Sequence, residues 1–186
     1  MKMKMKTIMI LVLALSTTIM ASAQLYTSTS SDVSFDSKTA MEGFYAQTKK
    51  AKAAVNLKTK KVKIRIKMIS FKFEKPLMEE HFNEKYVESE KYPDAKFDGV
   101  IQGADTLTNN GTYNVKVKGV LEIHGVKQER TLDGILIVKD GVVELKTEFP
   151  IALKDHKIKV PKFVIKKIAE VVNVKAQFVC ALFKKK

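Results

Sequence analysis

Apolar and polar residues alternate along most of the chain, and this alternation predicts a protein built from β-strands. The clearest run is 113–123, in which tyrosine, valine, glycine, leucine and isoleucine fill every second position and mostly polar residues lie between them. Successive side chains of a strand point to opposite faces, so each such run has one dry face and one wet face. Comparable runs or strand-rich segments lie at 25–35, 43–47, 51–57, 62–68, 95–103, 128–138, 142–149 and 172–182.

Short turn sequences join these strands into hairpins. The turns are Asn110-Gly111, His124-Gly125 and Asp140-Gly141, and each contains a glycine that tolerates positive φ. No strand-helix-strand alternation calls for a parallel sheet, and an antiparallel sheet of this size either closes or splits into a sandwich. We therefore predict an all-β fold: a closed antiparallel up-and-down barrel of about eight strands, with one or two short capping helices.

Two segments depart from the strand pattern and predict the capping helices. The first is Pro76 to Tyr86, where a proline suited to the first helical turn is followed by apolar residues at helical spacing: Leu77, Met78, Phe82 and Tyr86. The second is Pro161 to Glu170. An apolar helical stripe needs a covering surface, and the nearest one is the mouth of the barrel. We expect the first helix to lie across that mouth.

The first 23 residues differ from the rest of the chain and predict a secretory signal peptide. Three lysines precede an interrupted apolar run, Ile8 to Met20, and residues 21–23, Ala-Ser-Ala, form an A-x-A cleavage site. The alternative, a membrane anchor, is disfavoured because the apolar run is short and contains Ser16 and two threonines. We therefore expect a signal peptide at 1–23 and one mature domain at 24–186, located in the periplasm or outside the cell.

The chain is strongly basic, with 34 Lys and Arg against 20 Asp and Glu and a formal net charge of +14. Such a charge attracts anionic lipid headgroups or nucleic acid. The spacing favours a simpler interpretation, because residues such as Lys63 and Lys67 alternate with apolar neighbours and so belong to the outer face of a strand. No aromatic-basic interleaving of the stacking type occurs, so nucleic acid is not expected as a partner. An anionic membrane surface stays open as a partner.

The residue types that most often catalyse reactions or bind metals show no productive spacing. His81, His124 and His156 are far apart and lack the spacing of a zinc site. No G-x-S-x-G motif and no glycine-rich phosphate loop occurs. We expect His124 to hydrogen-bond backbone within its own turn, and Cys180, on the apolar register of the last strand, to be a buried and inert thiol. No enzyme activity, cofactor or metal is predicted.

Two stretches of the sequence resemble a known family. They are HFNEKYVESEKYPDAKFDG at 81–99, with a helix, a Tyr-Pro corner and an x-A-x-F-x-G strand, and GVLEIHGVKQERTLDG at 119–134, with an L-x-I-H-G-V turn. Near the start, SDVSFDS at 31–37 looks like the first strand of the same family. The chain thereby resembles the YceI-like family of exported, lipocalin-like barrels. The resemblance implies a lumen that holds a long polyisoprenoid, quinone-like or fatty amide chain.

The candidate site is the set of apolar residues that would face the lumen or edge its mouth. The predicted lumen residues are Ile64, Ile66, Met68, Phe97, Val117, Leu121, Leu145, Phe149 and Phe178, and the predicted mouth residues are Phe71, Phe73, Met78 and Phe82. Buried apolar residues usually only pack, so a packed core is the better explanation for any one of these residues alone. The family resemblance shifts the balance towards a tunnel for an apolar chain.

Two functions therefore stay open. The first is an exported, non-catalytic binding protein that holds a long apolar ligand, of isoprenoid or fatty-acyl type, in the barrel lumen. The second is a barrel with a filled lumen that acts as a basic envelope-stress or surface adaptor. In either case we expect a monomer or a homodimer.

Overall fold

The computed structural model describes residues 25–38, 43–103, 107–160 and 169–184. Most of them lie in strands: β1 (Leu25–Lys38), β2 (Gly43–Thr48), β3 (Lys52–Asn56), β4 (Lys61–Lys67), β5 (Lys72–Phe73), β6 (Asp94–Gln102), β7 (Gly111–Ile123), β8 (Val126–Lys139), β9 (Val142–Ala152) and β10 (Val171–Leu182). Helix α1 (Pro76–His81) continues as a wider π-helical turn (Phe82–Tyr86), and short 3-10 turns occupy Met68–Ser70 and Leu153–His156. No helix within the described ranges has the length and apolar character needed to cross a membrane.

The sheet closes on itself because β1 is paired along both of its edges. One edge pairs with β10 over most of its length. The other edge is shared, since residues 25–27 pair with β3 and residues 33–38 pair with β2. The remaining strands follow in the order β3-β4-β6-β7-β8-β9-β10, all antiparallel. The predicted closed antiparallel barrel of about eight strands is confirmed, with β2 and β5 as additional strands on one side.

The tight hairpin turns predicted at His124-Gly125 and Asp140-Gly141 are confirmed. His124 (φ 52°) and Gly125 (φ 70°) join β7 to β8, and Asp140 (φ 49°) and Gly141 (φ 78°) join β8 to β9. Positive φ at both central residues defines the type I′ turn, whose twist matches that of the flanking strands. These turns therefore set the register of β7, β8 and β9.

The third predicted hairpin forms, because β6 and β7 pair directly, but the tight turn predicted at Asn110-Gly111 does not: neither residue has a positive φ. β6 ends at Gln102 and β7 begins at Gly111, so a longer connection separates the two strands. The Asn110 side chain instead supports a neighbouring turn: its Nδ2 donates to Asp140 Oδ1 (3.0 Å), and its Oδ1 accepts from the Asp140 N–H (3.1 Å). Asparagine at this position therefore links two connections at the same end of the barrel.

The first capping helix is confirmed, although it changes from α to π geometry at Phe82. Met78 and Phe82 face the barrel, whereas Leu77 is 59% exposed. The predicted place of Leu77 in the covered stripe is wrong: Met78 and Phe82 define the inward face, and Leu77, about 100° from Met78 around the helix, falls on the solvent side. The predicted second helix, 161–170, and the predicted signal peptide, 1–23, lie almost entirely outside the described residues and stay predictions.

Candidate functional site

One end of the barrel encloses a cavity of about 270 Å³, with α1 and the π-helical turn, together called the cap, across its opening. The long strands contribute inward-facing residues from this end, such as Ile66 of β4 and Val174 of β10. The lining is almost entirely carbon, because its residues are mainly aliphatic and aromatic. It comprises Val33, Phe35, Gly43, Phe44, Ile66, Met68, Phe71, Phe73, Met78, His81, Phe82, Tyr86, Val87, Ala95, Leu121, Ile123, Phe149, Ile151, Leu153, Ile158, Val172 and Val174.

A cluster of phenylalanines joins the cap to the mouth of the barrel. Phe82 of the cap stacks on Phe35 of β1, with ring centroids 5.4 Å apart, and lies 5.0 Å from the ring of Phe73 in β5. Phe71 and Phe44 meet Phe35 edge-on, at 5.0 Å and 5.9 Å. Aromatic contacts of this kind each add about 0.5–1.5 kcal/mol beyond the burial of area. The cap therefore rests on the mouth through apolar rings.

Polar contacts hold the two ends of the cap. At its start, Glu79 accepts a hydrogen bond from the backbone N–H of Phe73 (3.3 Å) and pairs with Lys72. Beyond its end, Glu88 Oε2 lies 2.7 Å from Nε2 of His124, in the turn between β7 and β8. The cap is thus tethered to β5 at one end and to the β7–β8 turn at the other.

The expectation that His124 bonds backbone within its own turn is wrong. Its Nδ1 lies 3.0 Å from the carbonyl oxygen of His156, and its ring packs against Tyr92 with centroids 4.4 Å apart. The positive φ values of His124 and Gly125 form the turn without help from a side chain, so the imidazole reaches other segments. Among the residues that the structure describes, no three His, Cys, Asp or Glu side chains are grouped closely enough to hold a metal ion.

The structure separates the predicted site residues into two groups. Those that line the cavity are Ile66, Met68, Phe71, Phe73, Met78, Phe82, Leu121 and Phe149. Those that belong to the packed interior and do not line the cavity are Ile64, Phe97, Val117, Leu145 and Phe178. Members of the second group lie further from the cap along their strands; Phe97, for example, follows the lining residue Ala95 on β6. The cavity therefore occupies only the capped end of the barrel.

Some lining residues were missed by sequence reasoning. Phe35 on β1 and Val174 on β10 lie on the dry faces of predicted strands, so the alternation could have included them. Leu153 and Ile158 come from a 3-10 turn and the loop that follows it. Irregular segments have no period that marks an inward face, so no sequence pattern could have found these two residues.

Among the described lining residues, only His81 and Tyr86, both in the cap, carry a nitrogen or oxygen atom in the side chain. Burial raises the pKa of the Tyr86 phenol, so this group is a neutral hydroxyl at physiological pH. No Lys, Arg, Asp or Glu is found among the described residues that line the cavity. An ionised group placed inside would lose its hydration without gaining a partner of opposite charge. The cavity therefore suits an uncharged apolar chain, with any hydrogen-bonding group close to the cap.

A closed antiparallel sheet of eight strands with a capped apolar interior defines the class of small, lipocalin-like β-barrels. Within that class, the chain belongs to the YceI-like domain family, whose family model matches residues 26–180. No curated protein matches the sequence.

Solved structures with low sequence identity share the fold. BcnA of Burkholderia cenocepacia is 19% identical, with a TM-score of 0.67 over 80% of this chain and 95% of that one. A polyisoprenoid binding domain from Saccharophagus degradans is 12% identical, with a TM-score of 0.74 over 87% and 99%. The Campylobacter jejuni YceI protein is 19% identical, with a TM-score of 0.58 over 75% and 85%.

Proposed function

We propose that the protein is an exported, non-catalytic binding protein that holds the apolar chain of a lipid, of isoprenoid or fatty-acyl type, inside the barrel. The observation that carries the proposal is the apolar cavity of about 270 Å³ beneath the cap. Membership of the YceI-like family supports it, and so does the structural neighbour described as a polyisoprenoid binding domain. The predicted signal peptide supports a location in the periplasm or outside the cell.

The apolar lining of the cavity is sufficient to bind a hydrocarbon chain through the hydrophobic effect. Each methylene group that leaves water for such a cavity contributes about 0.8 kcal/mol, so a short stretch of hydrocarbon supplies substantial affinity. His81 and Tyr86 place an imidazole and a hydroxyl where the end of the chain meets the cap. These groups suit hydrogen bonding to a neutral head group.

The packed half of the barrel favours a second candidate, the adaptor that acts through its basic outer face. Parts of that face are already neutralised, because Lys63 pairs with Asp98 (2.9 Å) and Arg65 with Asp94 (2.6 Å). The hydrogen bond from the Arg65 guanidinium lowers the pKa of the Asp94 carboxyl, so this pair is ionised at neutral pH. These cations are less available to an anionic partner, and binding in the cavity is the better supported function.

The test compares lipid carried by variants of the two faces of β4. Protein expressed with its leader is purified and analysed by native mass spectrometry and lipid extraction. Ile66→Asn places an amide in the cavity wall, and we expect it to reduce lipid loading about tenfold to a hundredfold. Lys63→Glu combined with Lys67→Glu alters only the outer face and should keep wild-type loading, because exposed charges are screened over about 8 Å.

Folding of each variant is checked by its thermal unfolding before lipid is measured. Full loading of Ile66→Asn together with lost loading of the Lys63→Glu, Lys67→Glu variant would place the ligand outside the barrel and overturn the proposal. The mass of the exported wild-type protein tests the predicted signal peptide separately, since cleavage after Ala23 leaves Gln24 as the first residue.

A further inference from the structure

The barrel changes from hollow to packed at the level of Phe97. On β6, Ala95 lines the cavity, whereas the next inward residue, Phe97, does not line it and is 5% exposed. Further from the cap on the same strand, Ile101 is 2% exposed. On the opposite side of the barrel, Val174 of β10 lines the cavity and Phe178 is 1% exposed. The packed layer that begins with Phe97 is therefore the floor of the cavity.

Two glycines make room for the ring of Phe97. Gly99 of β6 and Gly119 of β7 are directly paired. A Cβ atom at Gly99 would lie 2.8 Å from Cε1 of Phe97, and one at Gly119 would lie 2.9 Å from its Cζ. Because carbon atoms do not approach so closely, the ring occupies space that a side chain at Gly99 would need, while at Gly119 the β6 backbone lies closer still, at the carbonyl oxygen of Asp98. The ring thus points away from Ala95 and the cap, towards the packed half of the barrel.

We propose that Phe97 is the specificity-determining residue that limits the length of apolar chain the barrel accepts. This inference rests on the proposed binding function and adds a length class to it. A dry cavity of about 150 Å³ holds one benzene molecule. By that proportion, a cavity of about 270 Å³ holds roughly ten chain carbons. The ligand is therefore a chain of medium length, or a longer lipid of which only the end enters the barrel.

The experiment measures the affinity of the mature protein for straight-chain primary alcohols of about 6 to about 18 carbons by calorimetry. A neutral hydroxyl head group suits a lining in which no charged side chain is described. Each methylene that enters the cavity should tighten binding about fourfold. In the wild type, this gain should stop at about ten carbons, where the chain reaches the floor.

Variants at the floor should move this limit. Phe97→Ala removes a ring about the size of benzene, so the gain should continue for roughly five more carbons. Phe97→Leu frees less space and should extend the limiting chain length by about two carbons. Leucine keeps aliphatic packing at this position, so this variant preserves the test if the alanine variant does not fold. Phe183→Ala is the matched control, because Phe183 is 52% exposed outside the barrel and its loss should leave the limit unchanged.

Two results would overturn the assignment of Phe97. One is wild-type affinity that keeps rising through the longest alcohol, and the other is the same length limit in wild type, Phe97→Leu and Phe97→Ala. Failure of the wild type to bind an alcohol of any length would overturn the proposed binding function itself, so the two failures are distinguishable.

Discussion

Glu88 and His124 form a hydrogen bond of 2.7 Å that ties the corner after the cap to the β7–β8 turn. Both ring nitrogens of His124 face oxygen atoms, the Glu88 carboxylate and the carbonyl of His156. The His124 side chain is only 10% exposed, so solvent competes weakly for these bonds. This one side chain therefore fixes the end of the cap to a regular part of the barrel.

We predict that His124→Asn loosens the cap and leaves the turn intact. Asparagine tolerates the positive φ of this position (52°) but is too short to reach both acceptors. Loss of the contacts from the His124 ring to these oxygen atoms should lower the free energy of unfolding by about 1–3 kcal/mol. Hydrogen exchange should find residues 76–92 less protected than β7 in the wild type, and less protected still in the variant.

Two glycines in equivalent turns should respond differently to alanine. Gly125 and Gly141 have φ values of 70° and 78°, so alanine costs about 1–2 kcal/mol at either position. A Cβ at Gly125 would also lie 2.6 Å from Cε1 of Tyr92, whereas one at Gly141 would meet nothing within 4 Å. We predict that urea unfolding finds Gly125→Ala less stable than Gly141→Ala by about 1–3 kcal/mol. A difference that persists when Tyr92 is replaced by alanine would contradict this contact.

Sequence patterns predicted which face of a strand is dry, but they did not predict the level of a residue along the barrel. Ala95 and Phe97 share one face of β6, and the alternation treats them as equivalent. Only Ala95 lines the cavity, because the level of a residue depends on the stagger between strands and on where the cap lies. The predicted site therefore mixed wall residues with floor residues.

Local sequence patterns also did not predict the side-chain contacts between segments that are far apart in the sequence. The turn at His124 was predicted from the glycine that follows it, yet the partners of its ring lie 36 residues before it and 32 residues after it. Asn110 marks a connection, but its side chain serves the turn at Asp140. The alternation of apolar and polar residues predicts the strands. Contacts between residues that are far apart in sequence produce no periodic pattern, so they could not be predicted in the same way.

The reactivity of the Cys180 thiol reports whether the register of β10, the last strand, is correct. The residue is fully buried, and burial raises the pKa of its thiol to about 11. Because the thiolate is the reactive form, we predict that a disulfide reagent at pH about 8 labels the native protein at least about a hundredfold more slowly than the unfolded protein. Gln177→Cys in a Cys180→Ala background is the control and should react quickly, because position 177 is exposed. Rapid labelling of native Cys180 would mean that β10 is shifted by one residue.

His156 makes the stability of the fold depend on pH in the mildly acidic range. Its side chain has no exposed surface, and burial lowers the pKa of its imidazole. In the unfolded chain the same group takes up a proton below about pH 6.5. The unfolded state then binds more protons than the folded state, so the free energy of unfolding should fall as the pH decreases from about 7, by up to about 1.4 kcal/mol per pH unit. Above this range the group should contribute no pH dependence.

We predict that His156→Asn reduces this acid sensitivity. The asparagine amide can replace the ring Nδ1, which lies 3.3 Å from the carbonyl oxygen of Val126, and the His156 carbonyl that contacts His124 is retained in the variant. Urea unfolding of both proteins between about pH 8 and about pH 5.5 measures the effect. The variant should be somewhat less stable than the wild type at pH 8 and should lose less stability on acidification. Parallel losses in the two proteins would show that groups other than His156 carry the acid sensitivity.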